Sequence, residues 1–198
     1  MPDLENLLIR PASVSEQNQL EALQWRASLT NSGDREALLA HPDAIALPIA
    51  QIAAGGVFVA EWNGTIVGFA AVEPRADGNS ELDALFVDPD MRRRGIARSL
   101  VEHCAEVART RKSVALRVVG NPHAKDFYTA CGFNWDGGNP FRTGTADADD
   151  GLTGYFHGYS LHSGSRKTDS WLDTDSSCCF ARGHVGNFPP TAWRNLSM

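Results

Sequence analysis

Three consecutive arginines followed by a glycine, Arg92 to Gly95, have the residue types and spacing of an anion site. They follow the β-rich segment 81–88 and precede a segment whose apolar residues recur at helical spacing. The first amides of a helix lack intrahelical partners and carry partial positive charge, so they attract anions. No Ser, Thr, Asp or Asn directly precedes this helix, so a bound phosphate could replace the missing cap. The alternative is a basic surface turn.

Two carboxylates occupy alternate positions on the strand in front of this turn. On a regular strand, Glu81 and Asp83 lie on the same face as Leu85 and Val87. Two carboxylates this close together could raise one another's pKa, or they could act simply as counter-charges on one face. The pattern alone leaves both roles open.

The elements that must position these residues follow from periodicity and turn signals. Asn63-Gly64 between two β-rich runs predicts a tight hairpin. Helices are expected over 95–111 and over 122–132. The predicted order through Phe133 is β-α-α-β-β-β-α-β-α, with a further strand beginning there. An antiparallel meander with one β-α-β crossover indicates an α/β sheet with helices on both faces.

Composition narrows the class of protein. The chain has 198 residues, 42% of them hydrophobic, and a formal net charge of -6, which argues against a nucleic-acid partner. The sequence has neither an apolar run of membrane-spanning length nor a signal-peptide pattern, so no membrane partner is expected. The four cysteines form no CxxC pair, and the late His and Cys residues match no familiar zinc spacing. We therefore expect a cytoplasmic protein without a metal.

Two motifs in this order resemble signatures of the GNAT family of acyl-CoA N-acetyltransferases. Residues 92–97, RRRGIA, are similar to the family's R/Q-x-x-G-x-G/A, and residues 121–133, NPHAKDFYTACGF, are similar to N-x-x-A-x-x-F/Y-Y-x-x-x-G-F. Both lie in the expected secondary-structure context. The resemblance covers about residues 5–133. It implies an α+β fold in which helices flank a mixed, mostly antiparallel central sheet, followed here by an atypical C-terminal segment.

The resemblance implies acetyl-CoA as the co-substrate. The amides of residues 92–97 would hold its pyrophosphate, with the arginine side chains near the 3′-phosphate or in solvent. The strand before the loop would be splayed, so that its backbone pairs with the pantetheine arm like an added strand. The implied cofactor-binding residues are Leu85, Phe86, Val87, Arg92, Arg93, Arg94, Gly95, Ile96, Ala97 and Asn121.

The resemblance also implies roles in acetyl transfer. Tyr128 matches the family tyrosine that protonates the leaving thiolate; the alternative is a packing residue with its hydroxyl at the surface. Glu81 lies where several family members carry a glutamate base, and Asp83 is its competitor. A backbone amide near Phe86 or Val87 is the expected oxyanion donor.

Residues 134–198 depart from the family pattern, which normally ends in two more strands. No Glu, Gln or Ile follows Phe133, and the only plausible strand is in YFHGYSLH. We therefore expect a core over residues 1–133 and an atypical tail over residues 134–198. One explanation is a change of reading frame between Phe133 and Asn139, because residues 139–153 can be back-translated and shifted to give a family-like ending. The other is a lineage-specific extension that makes its own strands or docks on a partner.

The expected function is N-acetyl transfer from acetyl-CoA to a primary amine by direct attack. The alternative is a GNAT-fold module that binds acyl-CoA without turnover. The acceptor would be a small-molecule or peptide amine, and a homodimer stays open because family members often dimerise.

Overall fold

The computed structural model describes residues 6–30, 35–41, 45–120, 124–135 and 154–160. Within them, seven strands form one sheet in the order β1-β2-β3-β4-β5-β7-β6. The strands are β1 Leu7–Pro11, β2 Val57–Trp62, β3 Thr65–Pro74, β4 Ser80–Val87, β5 Ala115–Gly120, β6 Asn134–Trp135 and β7 Gly154–Ser160. The helices are α1 Gln17–Ser28, α2 Arg35–Ala40, α3 Ile49–Ala53, α4 Ile96–Thr110 and α5 Lys125–Ala130.

Neighbouring strands are antiparallel except for β4 and β5, which are parallel. That pair is parallel because α4 lies between its two strands in the chain and crosses over the sheet. The mixed, mostly antiparallel sheet with flanking helices is the predicted fold class, which is confirmed.

The β2–β3 connection is the tight hairpin that Asn63-Gly64 predicts. Both residues have positive φ, 49° for Asn63 and 78° for Gly64. Two consecutive positive φ values are typical of a type I′ turn, whose twist matches that of the flanking strands. This local prediction is confirmed.

Two apolar layers cover the two faces of the sheet. The layer beneath α4 contains its buried stripe, which includes Leu100 and Cys104, together with Leu82 and Leu85 of β4. The opposite layer contains Leu20 and Leu23 of α1, packed with Phe69 and Phe86. Burial of each helix stripe against the sheet fixes α4 and α1 on opposite faces.

The tail contributes two strands to the sheet. β6 begins one residue after Phe133, where a strand is expected, and β7 lies within the segment GYFHGYS. β7 pairs antiparallel with both β5 and β6. Residues 136–153 and 161–198 lie outside the described residues. The division at Phe133 and the change of reading frame therefore stay predictions.

Candidate functional site

Strand β4 separates from β5 halfway along its length. It pairs with β3 as far as Val87, but its pairing with β5 runs only from Ser80 to Leu82. Between Asp83 and Val87, the β5-facing edge of β4 therefore has no partner strand among the described residues. Such an edge offers backbone donors and acceptors to an extended ligand, as in strand addition. The splay expected around residues 85–87 is present.

The separation begins at an irregularity in β4. Ala71 of β3 is opposite Ala84, whereas the next residue, Val72, is opposite Leu82. Asp83 is therefore an extra residue, a β-bulge.

The bulge shifts the alternation of side chains along β4. Leu82 and Leu85 both belong to the layer beneath α4, although they are three residues apart, and Val87 packs against that layer. Asp83 instead bonds to Gln51 of α3, a helix whose Ile52 lies in the opposite layer. The prediction that Glu81 and Asp83 share a face with Leu85 and Val87 is therefore wrong, because a regular alternation was assumed across the bulge.

The loop before α4 has the backbone shape of an anion site. Arg93 and Gly95 both have positive φ, 62° and 82°, and Gly95 is the N-cap of α4. The first helical bond runs from the Ser99 amide to the Gly95 carbonyl at 3.0 Å. The amides of Ile96, Ala97 and Arg98 therefore have no intrahelical acceptor. Left-handed residues in a turn aim successive amides at a common point, which favours an anion there.

The C-terminal end of α1 braces this loop. Arg92 donates a hydrogen bond to Thr30 Oγ1, and Arg26 forms an ion pair of 2.8 Å with Asp88. Arg92 is half-buried, whereas Arg93 and Arg94 are exposed. The second and third arginines therefore remain accessible to a ligand, while the first also fixes the loop.

Gly68 on β3 allows β4 to approach closely at the start of the loop. It is opposite Val87, and a Cβ at Gly68 would lie 2.9 Å from the Phe86 carbonyl oxygen and 3.4 Å from Ile96 Cγ2. Any side chain at residue 68 would therefore push β4 or α4 outward.

Tyr128 is fully buried in the layer beneath α4. Its ring makes edge contacts with Phe127 at 5.1 Å and Phe133 at 5.6 Å between centroids. The residue is 0% exposed, so the alternative in which its hydroxyl lies at the surface is wrong. Asn121 lies outside the described residues.

The two candidate carboxylates have different surroundings. Glu81 forms an ion pair with Arg75 at 2.5 Å near the β3–β4 turn. Asp83 is buried and accepts a hydrogen bond of 2.9 Å from Gln51 Nε2, which also donates to Glu73 Oε1 at 2.7 Å. Sequence reasoning missed Gln51 and Glu73, because they are 22 residues apart and no motif links them.

The described cysteines are unsuited to nucleophilic catalysis. Burial raises the pKa of the Cys104 and Cys131 thiols to about 12. A thiol with such a pKa is almost entirely protonated near neutral pH, and the thiolate is the nucleophile. A covalent route through either thiol is therefore disfavoured.

His103 on α4 has the surroundings of a packing residue. Its ring lies edge-on to Phe58 at 4.6 Å, and burial lowers the pKa of the imidazole, which Glu106 partly offsets. Among the described residues, no group of three or more His, Cys, Asp or Glu could hold a metal ion. In the same part of the chain, no helix has the length and apolar character needed to cross a bilayer.

Comparison with known proteins assigns the family. The sequence profile of the acetyltransferase (GNAT) family matches residues 18–133, more than half of the chain. The chain therefore belongs to this family of acyltransferases. The matched region contains β4, the arginine loop, α4 and Tyr128, so the family resemblance read from the two motifs is confirmed.

Individual relatives agree with this assignment. An uncharacterized N-acetyltransferase of Methanocaldococcus jannaschii is 41% identical over 87 residues, which are 39% of this chain and only 38% of that protein. The structure of yncA from Salmonella typhimurium, solved with its cofactor acetyl-CoA, matches with a TM-score of 0.58 at 17% identity, covering 83% of this chain and 99% of that one. A ribosomal-protein-alanine N-acetyltransferase from Brucella melitensis matches with a TM-score of 0.53 at 26% identity, covering 75% and 96%.

Proposed function

We propose that this protein transfers an acetyl group from acetyl-CoA to a primary amine. The observation that carries the proposal is the separation of β4 from β5 after Leu82, on a strand that leads into the left-handed loop before α4. An extended thioester arm that ends in phosphates fits these two features, because one offers backbone pairing and the other offers amides for an anion.

Each part of the site has a role in binding acetyl-CoA. The amides around Gly95, Ile96 and Ala97 would bind the pyrophosphate, with Arg93 and Arg94 supplying positive charge from the surface. The backbone of residues 85–87 would pair with the pantetheine arm, and Asn121 would contact the same arm. Solved relatives crystallised with coenzyme A or acetyl-CoA support this choice of co-substrate.

Direct attack by the neutral amine would form the new C–N bond and then break the C–S bond. A backbone amide at Phe86 or Val87 would stabilise the oxyanion of the tetrahedral intermediate. Tyr128 would give its proton to the departing thiolate, a role that requires the sulfur to reach its buried hydroxyl. Glu81 would accept the proton of the amine through water; Asp83 is the alternative base.

The decisive experiment replaces the proposed acid. Tyr128→Phe should lower kcat about 100-fold or more, because general acids typically contribute this much. The rise in the unfolding midpoint caused by acetyl-CoA should be unchanged. Thr129→Val, which removes an exposed hydroxyl from the same helix, is the matched control and should keep its rate.

The same experiment separates catalysis from simple binding. A module without turnover would show the acetyl-CoA-induced rise in midpoint but no acetylation of any amine by the unmodified chain. A chain with no such rise would contradict the assignment of the cofactor site.

A further inference from the structure

Two side chains from the end of α1 hold the two ends of the turn between β4 and α4. Arg26 forms an ion pair of 2.8 Å with Asp88, and Thr30 accepts a hydrogen bond from Arg92. Arg26 and Thr30 are four residues apart, so they lie on the same side of the helix end, one turn from each other. Asp88 and Arg92 flank the short helical turn Pro89–Met91. The turn is therefore held at both ends by one helix.

Further hydrogen bonds fix the geometry of both contacts. The Asp88 carboxylate, which uses Oδ2 for the ion pair, accepts the amide of Asp90 on Oδ1 at 3.2 Å. Thr30 donates its own hydroxyl to the Ala27 carbonyl at 2.6 Å, which leaves the lone pairs of the oxygen for the Arg92 guanidinium. Neither contact depends on a freely rotating group.

The position of these cations suits the helix end. Arg26 lies in the last turn of α1, and Arg92 bonds to Thr30, two residues after the last residue of the helix. The C-terminal end of a helix carries partial negative charge, which stabilises cations there. Arg92 therefore contributes its charge to the attachment of the loop to α1.

The loop needs such support because of its own backbone. Arg93, directly after the second contact, is a non-glycine residue with a φ of 62°. A residue in the left-handed region persists there only when its surroundings fix it. The conformation that turns the amides before α4 toward one point therefore depends on contacts from outside the loop.

Helix α1 is itself fixed on the strand that leads into the loop. Leu20 and Leu23 are buried in the same layer as Phe86 of β4. Arg26 and Thr30 are exposed and lie outside this apolar layer. Substitutions at residues 26 and 30 therefore alter the contacts to the loop and leave the packing of α1 on β4 in place.

We propose that Arg26 and Thr30 are positioning residues for the phosphates of acetyl-CoA, which hold the loop before α4 in its binding conformation before the ligand arrives. The inference rests on the proposed function, because it concerns the co-substrate of that reaction. A ligand binds more weakly in proportion when the competent conformation is only partly populated. Loss of either contact should therefore appear as a lower affinity for acetyl-CoA.

Calorimetric titration of the full chain with acetyl-CoA measures this effect. Arg26→Gln should weaken binding about twofold to fivefold, the range expected for one exposed ion pair. Thr30→Val keeps the shape of the side chain and should weaken binding about fivefold, because hydrogen bonds to charged groups are the stronger class. Arg26→Lys and Thr30→Ser keep the charge and the hydroxyl, so they should restore most of the affinity.

A second ligand shows which part of the site is affected. Acetylpantetheine keeps the thioester arm and lacks the pyrophosphate. Its affinity should be the same in the unmodified chain and in both variants, because the arm is proposed to pair with residues 85–87. Equal weakening of both ligands would mean that the substitutions disturb β4 or the whole fold, and the proposal would be overturned.

Asp77 provides a matched control for the ion pair. Like Asp88, it accepts the amide two residues further on, that of Asn79, and it pairs with a distant arginine, Arg117, at 3.2 Å. It lies in the β3–β4 turn, at the opposite end of β4 from the loop. Asp88→Asn should weaken acetyl-CoA binding as Arg26→Gln does, whereas Asp77→Asn should leave it unchanged. Equal losses in the two Asp→Asn variants, or no loss in either, would contradict the positioning role.

Amide hydrogen exchange of the unliganded chain separates this inference from the proposed function. Exchange over residues 93–97 should be faster in the joint variant Arg26→Gln, Thr30→Val than in the unmodified chain. If it is faster but the unmodified chain binds no acetyl-CoA, the two side chains hold the loop and the proposed function fails. If the joint variant binds acetyl-CoA and transfers the acetyl group as well as the unmodified chain, the function stands and the inference fails.

Discussion

Gly95 provides the sharpest test of the anion site, because its backbone conformation and its proposed role can be separated. Its φ of 82° lies in the left-handed region, where an L-residue costs about 1–2 kcal/mol. Gly64, at the tip of the β2–β3 hairpin, has a φ of 78°, and a Cβ added there would meet open space. Alanine at either position therefore introduces similar strain, but only Gly95 adjoins the proposed phosphate.

The expected magnitudes follow from these two sites. Gly95→Ala and Gly64→Ala should each lower the unfolding midpoint by about 2–8 °C, since a chain of this size loses about 2–4 °C per kcal/mol. Acetyl-CoA at about 100 times its Kd should stabilise the unmodified chain by about 2.7 kcal/mol. Relief of strain at residue 95 would move the amides of Ile96 and Ala97. If that raises Kd about tenfold, the same ligand concentration gives only about 1.4 kcal/mol.

The assay is thermal unfolding of the three chains with and without acetyl-CoA. Gly64→Ala should keep the full ligand-induced rise, and Gly95→Ala should lose about half of it. If both variants keep the full rise, the amides before α4 do not hold the phosphates, and the reasoning from the loop geometry is refuted.

Two further predictions concern stability. Burial lowers the pKa of the His103 imidazole in the folded chain, so the unfolded chain takes up the proton first and stability falls as the pH drops below 6.5. His103→Leu should therefore make the unfolding midpoint less sensitive to acid in this range. An unchanged pH slope would assign that acid sensitivity to other groups. Gly68→Ala should cost about 1–3 kcal/mol in denaturant unfolding and also reduce the acetyl-CoA-induced rise, because its Cβ would lie 2.9 Å from the Phe86 oxygen. A variant as stable as the unmodified chain would contradict the close approach of β4.

The parts of the fold that depend on local signals could be predicted from the sequence. Asn63-Gly64 sets the hairpin by its positive φ values, and the glycine at residue 95 marks the start of α4. The splay of β4 was expected only from the family resemblance, because strand separation depends on pairing with β5 and leaves no local pattern. The residue types of the loop therefore predicted its anion-site geometry. The separated edge of β4 beside it can be seen only in the three-dimensional strand pairing.

The features that depend on pairing between distant segments were not predictable. The bulge at Asp83 is defined by the pairing with β3, in which Ala71 and Val72 lie opposite Ala84 and Leu82. No residue pattern within β4 predicts it. Gln51 meets Glu73 only after α3 has packed on the sheet. The surroundings of the carboxylates, and hence the choice between Glu81 and Asp83, could therefore be addressed only in three dimensions.

The bulge in β4 bears on how such a chain can change during evolution. Upstream and downstream of Asp83, the same strand presents different sets of side chains to the layer beneath α4. The proposed donor site uses main-chain amides, which survive most substitutions of side chains. Side chains on either side of the bulge could thus change while the handling of the acyl donor stayed constant. Deleting residue 83 would remove only the bulge, since Leu82 and Ala84 would then follow each other opposite Val72 and Ala71 and every later side chain of the strand would keep its face.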